Sequence, residues 1–430
     1  MAIETNVETN KVNPPIPKNF FEYVKNIGPG ILFLLSILGV GDLTGSSVNG
    51  SKFGYAILWT LLLAVIIRYV VLEAIGRFGI CNPGKLTPIQ GLLKVYGNWF
   101  RWLIAAFAFT FFFTSMSYYV KGCAEILNAM FPFLPIPAWG LITIAFGIFC
   151  VYSPVYKNIE KMFKYLLILV FFTVVACAFI LKPDWGAFFT GMFIPSIPPG
   201  VPDLRSTMFV VIGAIGTVIG GMGQLMYPFF IQKKGWNAPQ YVKMVRFDLA
   251  FTIIMLFLID SLLYIPAVTL LHSQGGAVIK TALDIFNMMH MAVGTAVTFV
   301  FMLGIFGAAI TTAVGMPYGV IHVFQEAVYG KIDHKHWTWK AASIFAWIPP
   351  AFFVFTNVPF TTIALVAGNI GVFFSLLVGT GIFIIGNNSK LIGKEYRNPW
   401  WSNVGLVAAL GTLWYLSGLR LIEMVQKILA

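Results

Sequence analysis

Few side chains in this sequence can carry charge, and only a handful of those fall inside its apolar stretches. Asp42 follows Gly39-Val40-Gly41 and precedes Leu43-Thr44-Gly45. A carboxylate among clustered glycines has exposed backbone carbonyls beside it. It suits direct coordination of a cation, or proton carriage with a pKa that moves with occupancy. The plainer reading is a carboxylate capping a restarting helix. Arg68 (Ile66-Ile67-Arg68-Tyr69) and Asp260 (Leu258-Ile259-Asp260-Ser261) lie mid-run in apolar sequence. At such depth each needs a neutralising partner, with Glu73, Asp42 or one another as candidates, and the pair serves either structure or ion coupling. Lys121 and Glu125, four apart, share a helix face. Near the outer end of their segment they either reach the interface or take part in coupling or gating. Gln224 and Tyr227 follow Gly220-Gly221-Met222-Gly223 and can hydrogen-bond a substrate. Met222 and Met226 are thioethers that either pack or point inward as soft ligands.

Other chemistries find no support. His272, His290, His322, His334 and His336 show no metal-site spacing, and His334-Lys335-His336 reads as a solvated loop. No nucleophile elbow, P-loop or HExxH pattern occurs, so neither an enzyme nor a cofactor is expected. Cys81, Cys123, Cys150 and Cys177 have no CxxC spacing and read as reduced core residues.

The elements that must position these residues are membrane helices. Of 430 residues, 58% are hydrophobic and 10% charged, against about 25% charged in an ordinary soluble protein. With a mean hydropathy of +0.84, the chain cannot cover a water-facing surface. Soluble enzymes, DNA-binding domains and disordered scaffolds are excluded. A spanning helix needs about 20 apolar residues, and eleven stretches qualify: 29–52, 55–77, 99–126, 136–154, 159–181, 207–232, 247–271, 292–328, 341–356, 360–386 and 402–425. Residues 1–28 form a polar tail without the apolar core of a cleavable signal.

With the tail in the cytoplasm, 20 of the 28 Lys and Arg fall inside and seven outside, with Arg68 within a span. That split meets the positive-inside rule, so the net charge of +12 is a topology device and nucleic acid is not an expected partner. The lipid bilayer is, and Trp99, Trp102, Trp400 and Trp401 fit its aromatic belts. The expected location is a bacterial-type plasma (inner) membrane.

Two spans carry more glycine than packing requires. The first holds Gly28-Pro29-Gly30 and Gly39, Gly41 and Gly45; the sixth holds Gly213, Gly216, Gly220, Gly221 and Gly223, then Pro228. Each mid-helix glycine costs about 1 kcal/mol against alanine, and freed backbone groups survive at membrane depth only around a cavity or ligand. Interrupted helices in corresponding positions point to an inverted-repeat secondary transporter with its site at the midplane. The expected division is repeat one over 29–181, repeat two over 207–386 and an extra helix over 402–425, all in one transmembrane domain over 29–425.

Several stretches carry a family resemblance: Gly28-Pro29-Gly30 through Gly50-Ser51-Lys52-Phe53-Gly54-Tyr55, Leu58-Trp59, Arg77-Phe78-Gly79-Ile80, Pro183-Asp184-Trp185-Gly186, the Gly213 to Gln232 helix and Lys390-Leu391-Ile392-Gly393. In this order, over roughly residues 24–425, they resemble the Nramp divalent-metal transporter family. The resemblance implies an all-α polytopic fold of the leucine-transporter type, two inverted five-helix repeats with helices 1 and 6 broken. It also implies proton-linked import of metals such as Mn²⁺ or Fe²⁺. The family's functional residues do not carry over. Its Asp-Pro-Gly-Asn falls on Gly39-Val40-Gly41-Asp42, and its Met-Pro-His on Gly220-Gly221-Met222. A later histidine falls on Tyr227 and its third-helix acidic pair on Met116 and Tyr119. Asn369 lies near a polar position of the family.

Without a thioether at 220 the preference for soft transition metals loses its source, and the glycines widen the site. The expected function is alternating-access transport of a divalent cation with weak transition-metal selectivity, Mg²⁺ or Mn²⁺, with Asp42 as the metal ligand. The expected site comprises Gly39, Gly41, Asp42, Gly220, Gly221, Met222, Gln224 and Tyr227, with Arg68, Asp260, Lys121, Glu125 and Asn369 in coupling or gating. The alternatives are a small organic solute carried on the same scaffold, or a non-transporting receptor.

Overall fold

A computed structural model describes residues 14–26, 40–152, 156–196, 204–275 and 279–429. The described chain is helical, with no strand among its elements. After the short α1 (Phe20–Asn26) come α2 (Val40–Phe53), α3 (Leu58–Cys81), α4 (Pro88–Tyr96), α5 (Phe100–Met130), α6 (Ile136–Tyr152), α7 (Tyr156–Ile180) and α8 (Trp185–Phe193). The second half holds α9 (Leu204–Ile219), a 3-10 turn over Gly221–Met226, α10 (Tyr227–Lys233), α11 (Val242–Leu270), α12 (Ala282–Tyr329), α13 (Trp337–Phe345), α14 (Ile348–Phe353), α15 (Phe360–Asn387), α16 (Ser389–Ile392) and α17 (Trp400–Leu429).

Ten of the eleven expected spans are covered by these helices over most of their length; residues 29–39 of the first lie outside the described residues. Six described stretches are long and apolar enough to cross a bilayer by themselves. Three connecting helices were not expected. α4 opens on a capping box in which Thr87 and Gln90 serve each other's backbone N–H. α8 is capped by Asp184, whose carboxylate accepts from Ala187 N at 2.9 Å. The first turns of α12 precede a break at Gly294, where φ is +77°. Each is amphipathic or short, so a search for 20-residue apolar runs passes over it.

The packing sorts the helices into two groups. α2 and α3 each contact α9 and α11, while α5 and α7 pack along α12 and α15 joins α9 to α5. α9 and α15 approach through glycine: a Cβ on Gly216 would lie 1.8 Å from the Gly368 carbonyl oxygen, and one on Gly368 2.0 Å from the Gly213 carbonyl oxygen. Gly213, Gly216 and Gly368 are therefore close-packing residues within intact helices.

Polar links tie the two ends. At the end carrying the α11 N-terminus, the wholly buried Glu73 receives Arg77 Nε at 3.1 Å and Arg246 Nε at 2.8 Å. Arg77 continues to Tyr396 O at 2.7 Å and Asn398 Oδ1 at 2.6 Å. Glu73 is thus engaged by Arg77 and Arg246, and the expectation that it neutralises Arg68 is corrected. At the opposite end, the Glu125 carboxylate accepts from Ala282 N at 3.2 Å and Phe360 N at 3.1 Å, the first residues of α12 and α15. Lys121 donates to Phe353 O at 3.1 Å and to the Thr356 carbonyl, where α14 ends. Both are buried, so the expectation that they reach the interface is corrected. A negative charge at two helix N-termini and a positive charge at a C-terminus satisfy orphan backbone groups and oppose each dipole.

Candidate functional site

The sixth span breaks at Gly220 and Gly221, with φ of +86° and +46°. Only glycine takes the left-handed region at little cost, and two in succession end α9 and tighten the chain into the 3-10 turn Gly221–Met226 before Tyr227-Pro228 starts α10. The last α9 carbonyls have no partner further along the helix. Two side chains take their place: Arg68 Nη1 donates to Val218 O at 2.5 Å, and Gln224 Nε2 to Ile219 O at 2.9 Å.

The expected break in the first span is narrower than the sequence suggests. From Val40 the backbone is helical through Gly41, Asp42 and Gly45 to Phe53, so an interruption over Gly41–Gly45 is corrected. Gly39 lies outside the described residues, as does the side chain of Asp42. At Gly45 an added Cβ would sit at ordinary van der Waals distance from α9, 3.6 Å from Thr217 Oγ1.

A cavity of about 50 Å³ opens beside the α9 break. One water needs about 10–15 Å³ by this measure, so the space suits about four waters or a partly hydrated ion. Gly220, Gly221 and Met222 line it as expected from sequence, together with Gly216 and Thr217. Across from them stand Thr114, Ser115, Tyr118 and Tyr119 of α5, Met316 of α12 and Gly368 and Gly371 of α15, with Phe107, Phe111 and Phe374 as an apolar wall. Tyr119, where the resemblance places one of two proton-handling acids, faces the cavity, while Met116 is buried. The hydroxyls of Thr114, Ser115, Tyr118, Tyr119 and Thr217 supply hard oxygen donors; Met222 and Met316 supply two thioethers. Met316, Thr114, Ser115 and Thr217 escaped the sequence reading because each is an ordinary residue of an apolar helix. The Thr114-Ser115 pair after three phenylalanines was the available signal.

Other expected residues do not line this cavity. Gln224 is wholly buried, its amide nitrogen bonded to Ile219 O and, at 3.3 Å, to Ser375 Oγ. Tyr227 turns toward α3 and α11, its hydroxyl 3.4 Å from Asp248 Oδ2 and its ring against Gly76. Neither Gln224 nor Tyr227 is on the wall of this cavity. Met226 packs on Gly319. Asn369 bonds Phe209 O at 3.1 Å and Leu365 O at 2.8 Å, so it fastens α15 to α9. Asp260 is fully buried on α11, one turn from Tyr264. Tyr264 lines a second, smaller void of about 10 Å³ with Ser46 and Asn49 of α2, Thr60 of α3 and Val218 of α9. Among the described residues, no three of His, Cys, Asp and Glu gather as a metal cluster.

Comparisons with known proteins fit this architecture. A manganese transporter from Eremococcus coleocola superposes with a TM-score of 0.75 at 16% identity, over 97% of this chain and 90% of that one. MhsT, solved with L-phenylalanine, superposes at 0.57 with 14% identity, over 92% and 97%. At such identities the likeness establishes the fold: an all-α membrane transporter architecture of the leucine-transporter type. In sequence, the divalent metal cation transporter MntH of Caldanaerobacter subterraneus subsp. tengcongensis is 20% identical over 283 residues, 63% of this chain and 65% of that protein. The match thus spans just under two thirds of that relative's length. The natural resistance-associated macrophage protein-like family matches residues 30–423, nearly the whole sequence. On this match, with the broken sixth span in its place, the chain belongs to the Nramp family.

Proposed function

We propose that this chain is a secondary-active transporter of a divalent cation, working by alternating access about the α9–α10 break. The cavity at that break carries the reading. It adjoins the α9 break, has room for about four waters, and presents hydroxyls and two thioethers. An ion with part of its hydration shell fits such a space. Position 220 lacks a thioether, but Met222 and Met316 stand on the wall, so hard and soft donors are mixed and discrimination between Mg²⁺ and Mn²⁺ is weak. Asp42, on the helix packed against α9, is the carboxylate we assign to the cation. The relatives named as divalent metal cation and manganese transporters support the same substrate class.

In this reading the two halves over 29–181 and 207–386 rock about the site, and the Lys- and Arg-rich loops and the N-terminus face the cytoplasm of a bacterial-type plasma membrane. The test is Mn²⁺ and Mg²⁺ uptake into proteoliposomes, with calorimetric binding by wild type and Asp42→Ala. Saturable uptake of either ion, abolished in the variant, is expected. Folded protein that neither binds nor moves either ion would overturn the proposal.

A further inference from the structure

Granted the cation-transport reading above, we infer that Glu326 holds a second, hydrated dication in a separate cavity, on the side of the break that the proposed orientation turns to the cytoplasm. This cavity, of about 240 Å³, runs along the last third of α12. On α12, Met316 belongs to the wall of the first cavity, and Gly319, Val323 and Glu326 to that of the second. Spacings of three and four residues keep all four on one helix face. On the broken span, Met222 lines the first cavity and Met226 and Gln232 the second. The two spaces therefore follow one another along a single seam between α12 and the broken span. Met226 packs where they adjoin: a Cβ on Gly319 would lie 1.8 Å from Met226 Cε.

Among the described residues, Glu326 is the one carboxylate on this wall. Its Oε1 accepts from Thr87 Oγ1, the capping hydroxyl of α4, which itself accepts from Gln90 N at 3.2 Å. No Lys, Arg or His among the described residues stands within ion-pairing distance of this carboxylate; the described ion pairs belong to Glu73. Lys331, on the same wall, is exposed to solvent, where its charge is screened. His322, one turn earlier, packs in a ring cluster with Phe229, Tyr318, His334 and Trp339, and the site does not require it as a ligand. Glu326 also lies in the last turn of α12, where the negative pole of the helix disfavours a further negative charge. A half-buried carboxylate in that position, without a counter-charge, is stabilised by a cation arriving from outside. A hard dication held by one carboxylate keeps most of its water, and the cavity has room for a full shell of about six. Glu326 thus gives the ion a holding point once it has passed Met226.

The experiment titrates Mn²⁺ and Mg²⁺ calorimetrically into full-length wild type, Asp42→Ala and Glu326→Gln. Glutamine keeps an acceptor for Thr87 and removes the charge. Two ions per chain are expected in wild type and one in each variant, the second site weakening about tenfold or more in Glu326→Gln. Binding that is unchanged in Glu326→Gln overturns the inference and leaves the transport reading standing. Binding that survives Asp42→Ala and is lost in Glu326→Gln upholds the second site, even where uptake fails. Wild type that binds neither ion overturns the second site, and uptake then judges the transport reading separately. A local readout decides if Glu326→Gln does not fold. The native cysteines are buried, so a spin label on Ile332→Cys, on the same wall, reports this cavity alone. In the Asp42→Ala background Mn²⁺ is expected to broaden its signal, and a signal indifferent to Mn²⁺ overturns the inference.

Discussion

Replacing Gly216 by alanine sets a methyl group 1.8 Å from the Gly368 carbonyl oxygen and 2.4 Å from its carbonyl carbon. Carbon and oxygen meet comfortably at roughly 3.3 Å, so α9 and α15 must part by about 1.5 Å at this point. Both obstacles are backbone atoms inside helices, and no rotamer change relieves them. Overpacking costs about 1–3 kcal/mol where side chains can yield; with backbone on both sides the cost is at the upper end, about 3 kcal/mol. Gly411 in α17 is the control, since a Cβ there meets nothing within 4 Å, and alanine is favoured over glycine in a helix by about 1 kcal/mol. Thermal unfolding of the detergent-purified protein, followed by tryptophan fluorescence, should place Gly216→Ala several degrees below wild type and Gly411→Ala at or slightly above it. Uptake should fall in the former, because the cavity wall at Gly216 and Gly368 moves with the helices. Equal unfolding temperatures for the two variants would refute the argument that these glycines serve close packing.

Other expectations follow from single polar groups. Glu73→Ala leaves the 3%-exposed Arg77 without its carboxylate and should cost about 3–5 kcal/mol, with Glu73→Gln milder in the same unfolding assay. Glu125→Ala strips the acceptor from Ala282 N and Phe360 N; about 1–3 kcal/mol for each buried N–H should show as lower stability and faster hydrogen exchange at the starts of α12 and α15. Gln224→Ala frees Ile219 O and should lower stability by about 1–3 kcal/mol, with uptake reduced because the break loses its internal support. The four native cysteines are buried, so a Lys335→Cys variant should react with an impermeant maleimide only when the cytoplasmic face is opened.

Composition alone placed this chain in a bilayer, and the spacing of apolar runs located its spans, because a helix in hydrocarbon must be long and self-satisfied in hydrogen bonds. The Gly220-Gly221 break was legible for the same reason: adjacent mid-span glycines have a conformational cost that only a special backbone offsets. Sequence could not separate them from Gly213 and Gly216, which serve packing, since the difference lies in whether another helix's backbone stands opposite. Nor could it assign Arg68, Gln224 or Glu125. Each was legible as an unusual buried polar group, but its role depends on which orphaned carbonyl or N–H it meets across 150 or more residues of chain, or, for Gln224, on the turn that folds it back onto Ile219. Met316 and Thr114 looked like ordinary helix residues until α5, α12 and α15 converged on the break. Local sequence decides which backbone groups are left unpaired; only the tertiary packing decides which side chains answer them.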